Sequence, residues 1–184
     1  MPEPIAAWHA DHVHFTWLLD VLEQQVAKFH SDEPPDYGLM LDIAYYLRHF
    51  PDRYHHPRED VAFARLVKRD PGARALVDRL SQEHRVIAAA GDELLDNLNS
   101  VVNEVMVERA TLEASAATYL AYYRHHLATE EEAIMPLAER LLTADDWADA
   151  AAAVAAGSDP LFGSNVDTRY KALLKQIARS SQNG

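Results

Sequence analysis

Residues 54–60 read YHHPRED, and in this stretch His55 stands four residues before Glu59. Residues four apart lie on one face of a helix, so this imidazole and carboxylate can reach the same metal ion or two neighbouring ions. The spacing recurs at His126 and Glu130. Spacing alone is weak evidence, because some of the ten histidines in an acidic chain show it by chance. A stronger argument comes from where these pairs lie along the chain.

Four histidines are placed so that they can meet inside a helical bundle. In antiparallel neighbouring helices, residues at one height are symmetric about the turn that joins the helices. The midpoints of successive histidine positions fall beside Pro34, near Pro71 and at or just beyond a third predicted loop. The four are His12, His55, His84 and His126. The sequence therefore predicts that four helices bring these imidazoles to one level, as a metal site in a bundle core requires.

The spacing of apolar residues predicts four long helices and no strands. Trp8, Phe15 and Leu22 belong to a series at steps of three and four, the period of one helix face. The second helix should be interrupted near Pro51 and Pro57, because neither ring can donate a backbone hydrogen bond. We expect long helices over about 5–30, 37–68, 73–98 and 109–142, a loop at 99–103, and short helices over 144–156 and 168–179. We expect the turn at 159–163 to pack its apolar residues back on the bundle.

These elements predict an all-α fold: an up-down-up-down four-helix bundle over about residues 5–142 with a C-terminal helical cap over about 143–184. A chain of 184 residues with 48% apolar content is the size of one compact domain.

Composition narrows the chemistry. The 29 acidic residues against 17 basic ones disfavour nucleic acid as a partner. The chain has no cysteine, which excludes disulfides, zinc–thiolate sites and cysteine-ligated iron–sulfur clusters, so a metal must be held by nitrogen and oxygen ligands. The N-terminus is acidic where a signal peptide is basic, and no apolar run approaches the roughly 18 residues of a membrane span. We therefore expect a cytoplasmic protein.

Histidine and carboxylate together suit a site with two metal ions. Carboxylates can bridge two cations and balance their charge, while neutral imidazoles ligate iron, manganese or zinc without adding charge. Four histidines and two bridging glutamates would give each ion two nitrogens and two oxygens. Positions would remain for a bridging oxide or hydroxide and for a small ligand.

Several segments, in this order and separation, resemble the hemerythrin-like family of His-His-Glu cation-binding domains. They are Asp11-His12, residues 54–60, Glu83-His84-Arg85 and residues 126–131, followed by MPLA at 135–138, and the likeness spans about residues 5–142. The resemblance implies a pair of non-haem irons, with manganese or zinc as alternatives, joined by an oxo or hydroxo bridge. It places the metal ligands at His12, His55, Glu59, His84, His126 and Glu130, with the glutamates as bridges.

One position departs from the family pattern. Oxygen-carrying hemerythrins have a further histidine one turn before the one that resembles His84, and here that position is Leu80. The departure argues against simple reversible oxygen carriage. His56 is the first candidate to replace the missing ligand, and Glu83 is the second.

The remaining histidines and tyrosines have plainer interpretations. His125 lies about 100° around the helix from His126 and is expected to face solvent or pack between helices. Surface positions, or positions behind the ligands, are expected for His9, His14, His30 and His49. Tyr54 and Tyr123 are the tyrosines most suited to lie beside the metals, although tyrosines at helical spacing are usually core residues.

The first functional hypothesis is a di-iron protein that binds or reduces a small oxidant, such as dioxygen, peroxide or nitric oxide, in stress response or sensing. The alternative is an iron- or oxygen-sensing module without turnover, in which metal occupancy orders the bundle for a protein partner. A zinc hydrolase with two histidines one turn apart is disfavoured, because His-x-x-x-His does not occur in the sequence. A bundle without metal would leave the register of the four histidines to chance.

Overall fold

The computed structural model describes residues 3–154, 159–164 and 166–180, and every regular element in these ranges is helical, as predicted. The helices are α1 (Glu3–Ala27), α2 (Tyr37–Phe50), α3 (His56–Arg69), α4 (Arg74–Val102), α5 (Arg109–Thr129), α6 (Met135–Leu141), α7 (Ala144–Ala152) and α8 (Lys171–Ser180). Short 3₁₀ turns span Lys28–His30, Pro71–Ala73 and Thr168–Tyr170, and π-helical turns span Pro51–His55 and Glu130–Ile134.

The π-helical turns divide two of the predicted long helices. The interruption predicted near Pro51 and Pro57 is confirmed, since α2 ends at Phe50 and α3 begins at His56. The fourth predicted helix is also divided, at Glu130–Ile134, which the apolar period did not indicate.

Two other boundaries differ from the prediction. The predicted loop at 99–100 is wrong, because α4 continues to Val102. Leu98 is fully buried, and Val101 packs against the core, so apolar contact holds this last turn in the helix. The alanine-rich helix α7 ends at Ala152, and part of its predicted C-terminal end, residues 155–156, lies outside the described ranges.

The long helices contact one another in a closed ring. α1 packs against α2 and α5, and α4 packs against the same two helices. Residues later in α1 contact residues earlier in α5. Asp20 accepts a hydrogen bond from Arg124 at 2.7 Å, whereas His30, just beyond α1, contacts Glu113 at 2.6 Å. α1 and α5 therefore run in opposite directions.

Two apolar clusters fill the bundle, and a polar layer separates them. On α1, Trp8 belongs to one cluster and Phe15 to the other, with His12 between them. On α4, His84 lies in the same way between Leu80 and Ile87. The polar side chains of α1 and α4 therefore lie at one level of the bundle, between the two apolar clusters.

The C-terminal segment covers two sides of the bundle. α7 packs against α3, where Arg69 donates to Asp146 at 2.5 Å. The prediction for the turn at 159–163 is confirmed: Leu161 is buried, and Phe162 stacks on His14 with ring centroids 3.9 Å apart. Within the described ranges, no helix is both long enough and apolar enough to cross a bilayer.

Candidate metal centre

The polar layer consists of five histidines and two glutamates, each at most 8% exposed. It contains all six residues that the sequence predicted as ligands, together with His56. The seven are His12, His55, His56, Glu59, His84, His126 and Glu130. Every ion pair that the structure gives Glu59 and Glu130 is with a histidine. Buried carboxylates need a nearby positive charge, and in this layer only imidazolium or a bound cation can supply it.

The seven side chains contain two groups with the spacing of a metal site, and Glu59 belongs to both. The smaller group consists of His12, His55 and Glu59. In it, the two histidine Nε2 atoms lie 3.0 Å apart, and His55 Nε2 lies 2.7 Å from Glu59 Oε1. The larger group consists of His56, Glu59, His84 and His126, with ligand atoms within 4.8 Å of one another.

Each glutamate presents one carboxylate oxygen to each side of the layer. Glu59 Oε1 faces His55 Nε2, and its Oε2 lies 3.3 Å from His84 Nε2. Glu130 Oε2 lies 3.3 Å from His12 Nε2, and its Oε1 lies 3.2 Å from His126 Nε2. Both carboxylates thus lie between the two histidine sets, which is the arrangement that a bridging ligand needs.

The outer nitrogen of every histidine in the layer contacts a carboxylate. The Nδ1 contacts are His12 with Glu131 at 2.8 Å, His55 with Asp11 at 3.0 Å, His56 with Asp52 at 2.7 Å, His84 with Asp60 at 3.3 Å and His126 with Glu83 at 3.1 Å. A carboxylate at Nδ1 holds the proton there and leaves Nε2 free, as is usual for metal-ligating histidines. All five Nε2 atoms are thereby available to the interior of the layer.

Sequence reasoning did not identify this outer set of carboxylates. Glu83 is the second candidate to replace the missing ligand, but its carboxylate lies at the Nδ1 of His126, outside both groups. Asp52 stands four residues before His56, a helical spacing that was visible in the sequence. The partner of Asp60 is His84 on another helix, and helical spacing gave no sign of that pairing.

His56 belongs to the larger group, whereas Leu80 lies in the apolar cluster with no exposed surface. The rings of His56 and His84 stack with centroids 4.1 Å apart and an angle of 17° between their planes. Burial lowers the pKa of His56 below its ordinary value although Asp52 acts in the opposite direction. His56 is therefore held as the neutral imidazole, the form that ligates metals.

Other histidines and the carboxylates of the layer stabilise one another's charged forms. Burial alone would lower the pKa of His84, but contacts with Asp60, Glu130 and Glu59 raise it to about 12. Burial likewise opposes charge on His12, yet its contacts with carboxylates raise its pKa well above the ordinary value. Burial opposes ionisation of Glu59, but neighbouring histidines hold its pKa well below the ordinary value. In the metal-free layer His12 and His84 are thus imidazolium ions beside carboxylates, and a metal would displace protons from them.

Five atoms that face the interior of the layer form no hydrogen bond, although each lies 3.2–3.3 Å from a histidine nitrogen or a glutamate oxygen. They are Glu59 Oε2, His84 Nε2, His126 Nε2 and both carboxylate oxygens of Glu130. Buried polar atoms without a hydrogen bond are rare because burial removes the hydrogen bonds that they would form with water. Cations in the layer would satisfy all five atoms. Nitrogen and oxygen donors in this ratio suit iron, manganese or zinc.

The remaining candidates lie outside the layer. His9 donates to Glu131 at 2.9 Å with half of its side chain exposed, and the side chain of His125 is 60% exposed. Tyr123 is fully buried against Phe15, and its hydroxyl has no hydrogen-bond partner. Tyr54 packs against Phe50 with ring centroids 5.4 Å apart. None of these side chains belongs to either ligand group.

Comparison with known proteins agrees with this geometry. A family model described as the hemerythrin HHE cation-binding domain matches residues 3–138. A search of curated proteins and a search of solved structures found no match. The matched range runs from the start of α1 into α6 and contains both ligand groups. The chain therefore belongs to the hemerythrin HHE cation-binding domain family.

Proposed function

We propose that this protein holds two iron ions in the polar layer of an up-down-up-down bundle and binds or reduces a small oxidant such as dioxygen, peroxide or nitric oxide. The role would lie in stress response or sensing, and a cytoplasmic location stays a prediction from the sequence. One observation carries the proposal: each buried glutamate presents one oxygen to each histidine set. Such carboxylates can bridge two cations.

The two histidine sets are unequal. His12 and His55 would hold one ion, and His56, His84 and His126 would hold the other, with Glu59 and Glu130 shared. The ion with two histidines has fewer protein ligands, so the small ligand is expected on that side. Bound iron would supply the electrons for reduction and an open position for the oxidant.

The chain's own residues orient the ligands and exclude water. The carboxylates at Nδ1 keep each ring in one tautomer, and Trp8 Nε1 donates a hydrogen bond to Glu59 Oε1. Phe15 lies edge-on to His55, with centroids 5.1 Å apart, and Phe63 stacks against His84 at 6.2 Å. Aromatic walls on both sides of the layer keep bulk water away from the ligands, which strengthens electrostatic interactions inside it.

A sensing role without turnover is supported by a different observation. The layer separates two apolar clusters, so the cost of burying its charged side chains opposes packing of both. Metal binding would remove this cost, and binding free energy would then become folding free energy. A sensor should be strongly stabilised by metal and consume no more than one equivalent of oxidant per reduced site, whereas a reductase should turn over many equivalents with an electron donor.

The first test is anaerobic reconstitution with ferrous iron, followed by elemental analysis and a visible spectrum after exposure to air. We expect about two irons per chain, the number that paired carboxylate sites of this kind hold. Competition with manganese and zinc would establish which metal the site prefers. Absence of bound metal after reconstitution would overturn the proposal, and a single ion per chain would contradict the bridging role of the glutamates.

A further inference from the structure

A cavity of about 250 Å³ lies next to the smaller ligand group, between α1, α3 and α7. Its polar end is formed by His55 and Glu59, and Asp11 and Arg58 lie beside them. The remaining walls are mainly apolar: Ala7, Trp8, Trp147, Ala150 and Ala151. We call this space the α7 cavity. It leads from an apolar wall directly to a candidate ligand and a candidate bridge.

The wall that α7 contributes lies outside the matched range of residues 3–138. Trp147 meets Trp8 edge to face, with ring centroids 6.0 Å apart. α7 is fixed on α3 by the pair Arg69–Asp146 and by a second pair between Arg65 and Asp149. The cavity is therefore formed in the folded chain, as small-molecule sites usually are.

The volume of the α7 cavity is larger than a diatomic ligand would fill. A dry cavity of about 150 Å³ can hold benzene. The α7 cavity is larger, so it has room for a branched alkyl or aryl group. Burial of such a group against the tryptophans is favourable because its apolar surface leaves water. A ligand that fills the cavity therefore has a hydrocarbon part and a small polar end near Glu59.

We propose that the α7 cavity binds the hydrocarbon part of a small alkyl or aryl hydroperoxide, with the peroxide end directed at His55 and Glu59. The inference rests on the proposed function, because among dioxygen, nitric oxide and the peroxides only an organic hydroperoxide has an apolar part. The cavity then determines which peroxides the protein accepts. Hydrogen peroxide would leave the apolar walls uncovered and gain nothing from them.

Binding can be measured without any reaction by using the corresponding alcohols, tert-butanol and 2-phenyl-2-propanol. The full chain, loaded with redox-inactive zinc, is titrated with each alcohol while tryptophan fluorescence is followed, and ligand-observed NMR provides a second readout. Trp8 and Trp147 line the cavity and should report its occupancy. We expect saturable binding of both alcohols, and tighter binding of the aryl one because it buries more apolar surface.

Two substitutions fill the cavity from opposite walls. Ala151→Phe on α7 and Ala7→Phe on α1 both change residues that line it and are exposed at their outer side. Ala148→Phe and Ala10→Phe are matched controls on the same helices, at exposed positions that do not line the cavity. The two filling variants should weaken alcohol binding by about tenfold or more, and the controls should stay within about twofold of the parent chain.

Metal content and helical circular dichroism of each sample separate the possible results. Failure of both alcohols to bind the folded, zinc-loaded chain would overturn the inference, as would equal binding by the filling variants and their controls. Selective loss of binding in the filling variants, with zinc content unchanged, would support it. If the chain bound the alcohols but took up no metal, the cavity would stand as an apolar ligand site and the proposed function would fall.

Discussion

Replacing Glu130 with glutamine removes one buried carboxylate while keeping the size of the side chain. Its oxygens lie 3.3 Å from His12 Nε2 and 3.2 Å from His126 Nε2. At such distances and an effective dielectric constant of about 20, two unit charges attract by about 5 kcal/mol. Burial of a carboxylate costs several kcal/mol in the opposite direction. Glutamine avoids this cost of burial but leaves the positive charge of His12 uncompensated, so Glu130→Gln should lower the free energy of unfolding of the metal-free protein by about 3–5 kcal/mol.

The balance differs when divalent cations are bound. The attraction between the carboxylate and an ion of charge two is about twice as large at the same separation, while the cost of burial is unchanged. Metal at about 1,000 times its dissociation constant stabilises a protein by about 4 kcal/mol. For a chain of this length each kcal/mol raises the Tm by about 2–4 °C. The parent chain should therefore show a large metal-induced rise in Tm, and Glu130→Gln should show little of it.

The assay is thermal unfolding with and without ferrous iron under anaerobic conditions, together with metal content per chain. Glu132→Gln is the matched control, because Glu132 is exposed in the same π-helical turn and loses the same charge. The control should bind iron and rise in Tm as the parent chain does. Loading of two ions by Glu130→Gln, with an undiminished rise in Tm, would refute the bridging role.

Three further predictions concern other parts of the layer. His56→Leu should weaken iron binding by at least about tenfold, and adding Leu80→His should restore it if either position can supply the ligand, as equilibrium dialysis would show. Iron affinity should rise with pH between about 6 and 8, because the raised pKa values of His12 and His84 keep these side chains protonated in the metal-free layer. A pH indicator should record the release of protons when iron binds. An iron affinity that does not depend on pH would contradict those protonation states. Asp52→Asn should weaken metal affinity by about 10–100-fold, whereas Asp78→Asn at an exposed site should have no effect.

The height of the site could be predicted from the sequence because it follows from the number of residues between each histidine and the turn next to it. Helices rise by a constant amount per residue, so positions equidistant from a turn meet at one level. The structure brings His12, His55, His84 and His126 together, while their role as ligands stays a prediction. The outer carboxylates were not predictable as a set, because residues such as Asp60 act across helices. Their partners depend on how each helix is rotated about its axis.

The two π-helical turns have a common cause, and it was present in the sequence. In a regular α-helix each carbonyl accepts from the amide four residues later, but proline has no amide proton and its ring collides with that carbonyl. Pro57 and Pro136 would oppose the carbonyls of residues 53 and 132, which are the central residues of the two π-helical turns.

A wider turn relieves this collision. His56 N–H donates to Pro51 O, and Met135 N–H donates to Glu130 O, each across five residues. The extra residue changes the rotation of the side chains on either side of the turn. His55 ends one π-helical turn and His56 begins the following helix, and both adjacent histidines are buried in the layer. The π-helical turn that Pro57 favours therefore lies directly before His56, the first candidate to replace the histidine missing at Leu80.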